Sequence, residues 1–243
     1  MDKYTDIKGV FFDLGWTLEV PVNGDWMITN RFREVCGWHE PFPVPQPELN
    51  SALTESSEYL QKSHKMSTPE EELEQFTRFY EILGGKLPRL GMTHEKAADI
   101  ARDRTYNMGN YVLLEDTVKT LETLKRRGIK LGVISDTWPD VVLQLKHFRI
   151  FDYFDSLTFS YELGVFKPDT ALFKDALAKI KLPAEQTVFV DDMAYILEGA
   201  HRLGINPVQS LVQPKKRADM RFPSVKKPSE VLNLIQDFTG VPL

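Results

Sequence analysis

The chain has 243 residues, 42% of them hydrophobic and 27% charged, which is enough for one sizeable core and a smaller accessory domain. A formal charge of −5 works against sequence-independent binding of nucleic acid, and no apolar stretch approaches the ~20 residues that span a bilayer. The single cysteine, Cys36, cannot close an internal disulfide and no apolar leader precedes the first strand-like run, so a cytoplasmic setting and a small-molecule partner are expected, with oligomeric state left open.

Residues 7–12 end in Val10-Phe11-Phe12, apolar at successive positions, and are too few for a helix, which predicts a strand buried on both faces. From about residue 21 to 110 such runs vanish. Polar helical stretches replace them, broken by Pro41-Phe42-Pro43-Val44-Pro45 and Gly84-Gly85. This predicts a helical domain over 21–110 inserted into a discontinuous core formed by 1–20 and 111–243. Asp116 is placed to cap a helix carrying Val118, Leu121 and Leu124 on one face, and Gly128 to end it. A second strand-like run covers 129–134. Pro168 opens a helix burying Leu172, Phe173, Ala176, Leu177 and Ile180, followed by a strand at 187–190. The helix over 194–203 carries Ile196, Leu197, Ala200 and Leu203 as its apolar stripe, with Gly204 as its stop. A weaker strand at 205–211 and a short helix from Ser229 complete the pattern. Strands alternating with helices in this way predict an α/β fold, a Rossmann-like parallel sheet with an inserted helical domain. The basic run Lys215-Lys216-Arg217, after Pro214, reads as a solvated loop.

In an open parallel sheet ligands bind beyond the carboxyl ends of the strands, so the polar residues that follow each apolar run are the candidates. Phe12 is followed by Asp13, Ile134 by Ser135 and Asp136, and Val190 by Asp191 and Asp192, while Lys167 stands just before Pro168. Carboxylates gathered in one crevice repel unless a cation joins them, and hard oxygen ligands suit Mg2+ together with a substrate phosphate. Lys167 would add a second positive charge, the Ser135 hydroxyl would donate to a phosphate oxygen, and Asp13 would be left to attack as a nucleophile.

These segments resemble the haloacid dehalogenase-like hydrolase superfamily over nearly all of the core. Phe12-Asp13-Leu14-Gly15-Trp16-Thr17-Leu18 is similar to its first motif and Ile134-Ser135-Asp136-Thr137 to its second. Gly164-Val165-Phe166-Lys167-Pro168 is similar to the third, and Val190-Asp191-Asp192 with Glu198-Gly199-Ala200 and Gly204 to the fourth. Four motifs in order are a far stronger signal than any one of them. The resemblance implies a phosphatase with Asp13 as nucleophile and a helical cap at the insertion. Catalysis would fall to Asp13, Lys167 and Ser135, and substrate contact to Ser135, Asp136, Lys167 and Trp16. It also implies a magnesium site on Asp13, the Gly15 carbonyl and Asp192, with Asp191 as a second ligand or acting through water.

Two departures stand out. The family's phosphatases carry an acid two residues after the nucleophile, to protonate the leaving group and then activate water; here that position is Gly15. Ile196 occupies a fourth-motif position that is often acidic. The expected function is therefore magnesium-dependent hydrolysis of a small phosphorylated metabolite through an aspartyl-phosphate. The alternatives are a binding or regulatory protein that has lost turnover, a metal-independent dehalogenase, and a phosphonate hydrolase. His39, His64 and His94 are minor candidates for the missing acid, and Lys62 and Lys65 for a Schiff-base lysine.

Overall fold

The computed structural model describes residues 4–37 and 44–235. Their strands are β1 (Gly9–Phe12), β2 (Glu19–Pro21), β3 (Tyr111–Leu113), β4 (Lys130–Ser135), β5 (Ser156–Phe159), β6 (Thr187–Asp191), β7 (Asn206–Ser210) and β8 (Ser224–Val225). The helices run from α1 (Asn30–Val35), α2 (Gln46–Lys62), α3 (Pro69–Lys86) and α4 (His94–Tyr106) to α5 (Thr117–Arg126), α6 (Val141–His147) and α7 (Ser160–Leu163). They continue as α8 (Thr170–Ile180), α9 (Ala194–His201) and α10 (Val231–Leu234). Two compact units emerge: one from the described residues of 1–20, 112–137 and 145–243, the other from those of 21–111 together with 138–144.

The first unit is built on a six-stranded sheet of order β5-β4-β1-β6-β7-β8, in which every pairing is parallel. This is the Rossmann-like core expected from the alternation of strands and helices. All four residues of β1 are buried, as a strand covered on both faces requires. The chain builds outward from β1 to β4 and β5, then returns to β1's other side for β6, β7 and β8. Such a reversal of strand order is where open α/β sheets bind ligands. Gly132 in β4 has a packing reason: a Cβ there would lie 2.5 Å from the Phe11 ring and 2.6 Å from Ser156 Oγ. Phe11 fills that space as part of a core with Phe173, Phe189, Ile134 and Leu197.

Most predicted elements of this unit are present within a residue or two, but one cap and one helix start differ, and β5, α7 and β8 have no counterpart among the predicted elements. Asp116 precedes α5 but its side chain does not cap the helix; its Oδ2 accepts from the Ser229 N–H at 2.9 Å. Pro168 does not open α8 directly. Asp169 is the cap, accepting from the Ala171 N–H at 2.9 Å, and the helix starts at Thr170. The edge strand β5, Ser156-Leu157-Thr158-Phe159, escaped the sequence reading because a four-residue edge strand with polar alternation carries little periodic signal.

The second unit is helical. Thr68 begins α3 with a reciprocal capping box, its side chain accepting from the Glu71 N–H while Glu71 accepts from the Thr68 N–H. Phe76, Phe79, Tyr80 and Leu83 of α3 pack with Phe32, Ala97 and Ile100, and Trp138 joins this core. Trp138 belongs to the stretch 138–144, which the sequence reading assigned to the sheet-bearing core. Among the described residues no helix is long and apolar enough to cross a membrane.

Candidate active site

Parallel register brings the first motif between its neighbours. Phe12 pairs with Val133 of β4 and Val190 of β6, so the next residue, Asp13, comes level with Ile134 and Asp191, and its N–H donates to the Val190 carbonyl at 2.9 Å. Lys167 completes the group: its Nζ lies 2.9 Å from Asp13 Oδ1 and 2.7 Å from Asp191 Oδ2, and also donates to the Ile134 carbonyl at 3.3 Å. The lysine, Asp13, Asp191 and Asp192 are all buried. Burial alone would push the Lys167 ammonium down, but the facing carboxylates of Asp13, Asp191 and Asp136 outweigh it and hold its pKa above the ordinary lysine value. Burial pushes Asp191 and Asp192 up, against the opposing pull of Lys167 on Asp191 and Lys216 on Asp192.

One carboxylate oxygen from each of Asp13, Asp191 and Asp192 lies within 4.8 Å of the others. Three buried, hard oxygen donors of like charge are a set that Mg2+ satisfies, and the residues present therefore fit that ion.

The remaining sequence candidates take varied places. Ser135 ends β4 and is buried, adjacent in the sheet to Phe159. Asp136 Oδ1 accepts from the Lys167 N–H at 2.9 Å, so its carboxylate ties the second motif to the third; burial pushes it up to about 6. Trp16 is half-buried with φ +56°, in the left-handed region that a bulky residue seldom adopts, and its carbonyl accepts from Ser210 Oγ at 2.7 Å. Gly199 of α9 serves close packing beside the third motif, since a Cβ there would lie 2.7 Å from Pro168 Cβ. Among the minor candidates, His64 is buried with its ring 5.1 Å from Trp138, and burial lowers it to about 4. His94 is exposed and bonded to Glu81 at 2.7 Å, Lys62 and Lys65 are exposed, and His39 lies outside the described residues.

Lys216 was missed. The sequence places it in a solvated run, yet its Nζ pairs with Asp192 Oδ2 at 2.7 Å. It lies six residues beyond the end of β7, past the positions that the strand-end rule inspects, so no local signal marks it.

A family model described as haloacid dehalogenase-like hydrolase matches residues 49–209, about two thirds of the chain, and the chain belongs to that family of hydrolases. The match takes in the second, third and fourth motifs and begins beyond Asp13. A glyceraldehyde 3-phosphate phosphatase of Methanocaldococcus jannaschii is 40% identical over 81 residues, covering 31% of this chain and 34% of that protein. The chain thus matches about a third of that relative's length. Two solved structures share the fold: a HAD phosphatase from Thermococcus onnurineus, at TM-score 0.66 and 18% identity over 94% of this chain and 97% of that one, and a 2-haloacid dehalogenase from Pseudomonas syringae, at 0.63 and 23% over the same shares.

Proposed function

We propose that this hydrolase is a magnesium-dependent phosphatase of small phosphorylated metabolites, acting in the cytoplasm through an aspartyl-phosphate on Asp13. The observation that carries the reading is the buried carboxylate of Asp13 at the end of the central strand, 2.9 Å from the Lys167 ammonium and clustered with Asp191 and Asp192. A metal-independent dehalogenase has no evident use for that acidic pair. The phosphatase named among the relatives acts on a small phosphate ester, which supports the same substrate class.

In the first step an Asp13 carboxylate oxygen attacks phosphorus in line, the bond to the ester oxygen breaks, and the leaving group departs as an oxyanion or takes its proton from solvent water. In the second, water attacks the same phosphorus, releasing inorganic phosphate and restoring the carboxylate. Lys167 holds Asp13 in place and offsets the charge of the transferring group, and Ser135 donates to one of its oxygens. Asp13, the Gly15 carbonyl and Asp192, with Asp191 in support, would hold Mg2+, which would add further positive charge at the transferring group.

The chain provides no carboxyl at position 15 to protonate the leaving oxygen. Such an acid is typically worth about 10²–10⁴-fold, so esters whose leaving group needs no proton should be preferred. Replacing Gly15 by Asp is expected to raise kcat on an alkyl phosphate by about 10²-fold while changing an activated aryl phosphate far less. Equal changes on both esters would show that position 15 has no acid role to fill.

The direct test is phosphate release over a panel of sugar phosphates, nucleotides and an aryl phosphate, with Mg2+ and with a chelator. Release that requires Mg2+ is expected. Silence across the panel would leave a ligand-binding protein, the reading that Gly15 favours, and chelator-resistant halide release from haloacids would restore the dehalogenase reading.

A further inference from the structure

Lys216 lies between β7 and β8. Its Nζ donates to Asp192 Oδ2 at 2.7 Å and also contacts Met193 Sδ at 3.0 Å and Gln213 Oε1 at 3.4 Å. The loop that brings it there is anchored from below by Gln209 of β7, which is buried. Gln209 Nε2 donates to the carbonyls of Asp192 and Arg217, each at 3.3 Å, and its Oε1 accepts from the Asp219 N–H at 2.7 Å. One amide thus ties the backbone of Asp192 to that of Arg217 and Asp219, immediately after Lys216. The ammonium is delivered to the carboxylate by structure; a freely swinging surface lysine would have no such support.

The charges at the cluster are already largely matched. Asp13 and Asp191 share Lys167, and Asp192 has Lys216, so three carboxylates face two ammonium groups. A divalent cation entering this cluster meets a carboxylate whose field is partly cancelled by a fixed positive charge, whichever Asp192 oxygen it approaches.

Building on the magnesium reading above, we infer that Lys216 is a positioning residue that competes with the divalent cation for Asp192. The protein holds its metal weakly because an internal ammonium stands in for it, and uptake of the metal loosens the 211–219 loop.

The test is calorimetric titration of Mg2+ into the full chain, comparing wild type with Lys216→Met, Lys216→Gln and Lys216→Arg. Removing the charge, by either the apolar or the polar replacement, is expected to tighten Mg2+ binding by about tenfold or more, whereas Lys216→Arg keeps the wild-type affinity. Hydrogen exchange should show residues 211–219 exchanging faster in wild type when Mg2+ is added. Equal or weaker Mg2+ binding by both neutral variants overturns the inference while leaving the magnesium reading in place. If neither wild type nor the variants take up Mg2+, both fall together.

Discussion

Phosphate release from an aryl phosphate should fall by at least about 10³-fold when Asp13 is replaced by Asn, a loss in keeping with removal of a catalytic nucleophile. The substitution is close to isosteric, but an amide offers no carboxylate oxygen to attack phosphorus. The fold should tolerate it. Lys167 keeps its 2.7 Å contact with Asp191 and its bond to the Ile134 carbonyl, so the buried ammonium retains two oxygen partners. The assay is therefore paired with thermal unfolding, and a variant that melts like wild type yet keeps more than a tenth of the activity would remove Asp13 from the mechanism.

The second large effect lies in the helical unit, on groups that touch no candidate catalytic residue. Arg104 Nη1 donates to Glu72 Oε1 at 2.6 Å, and its guanidinium lies over the Phe76 ring at 3.6 Å. Glu72 Oε2 accepts from the Asp140 N–H at 2.8 Å, and Asp140 Oδ2 accepts from Gln144 Nε2 at 2.6 Å. All three charged residues are buried. Burial, with Asp140 adding repulsion at Glu72, pushes both carboxyls up, against the opposing pull of Arg104. Replacing Arg104 by Met removes the cation and should cost about 3–5 kcal/mol in urea unfolding, as breaking a buried ion pair generally does. Glu72→Gln keeps a carbonyl acceptor for Arg104 and relieves the repulsion with Asp140, and should cost about 1 kcal/mol. Comparable losses for both, or less than about 1 kcal/mol for Arg104→Met, would contradict this account.

A pH dependence follows from the raised carboxyls. The unfolded chain loses these protons near the ordinary carboxylate pKa, whereas the native state keeps them to higher pH, so stability falls as pH rises above that ordinary value. His64 acts in the opposite sense. Burial lowers it to about 4, so its contribution is complete above the unfolded value of about 6.5 and is lost as pH falls toward 4. Above neutrality the His64 contribution is constant, and wild type should lose stability between about pH 7 and 8.5 where Glu72→Gln loses less. Parallel slopes for the two proteins would place these protons elsewhere.

The sheet was legible because its strands carry a strong signal: a strand buried on both faces is apolar at every position, as residues 9–12 are. The candidate site was legible for a related reason, since register in a parallel sheet turns position after a strand into position in space. What the sequence concealed depends on contacts that no local pattern encodes. Asp140 sits four residues after Asp136 of the second motif, yet its partners are Glu72 and Gln144, and Glu72 is 68 residues away. The boundary at residue 110 leaves 138–144 in the sheet-bearing core, whereas its contacts group it with 21–111. Lys216 looked like one of three surface charges; only the side chain of Gln209, hydrogen-bonded to Arg217 and Asp219, distinguishes it from its neighbours. Likewise Asp116, expected to cap α5, is claimed by the distant Ser229 N–H, while the helix expected to open at Pro168 begins two residues later under the Asp169 cap.

The central claim is that Asp13 carries the phosphoryl group, and Gly15 makes it open to direct observation. The acid missing from the first step is also the base missing from the second, so hydrolysis of the aspartyl-phosphate should be slowed and the intermediate should accumulate. The measurement is mass spectrometry of acid-quenched protein during turnover of an aryl phosphate with Mg2+. The account predicts one added phosphoryl group on the peptide containing Asp13, absent in Asp13→Asn. Steady phosphate release with that peptide unmodified throughout would contradict it.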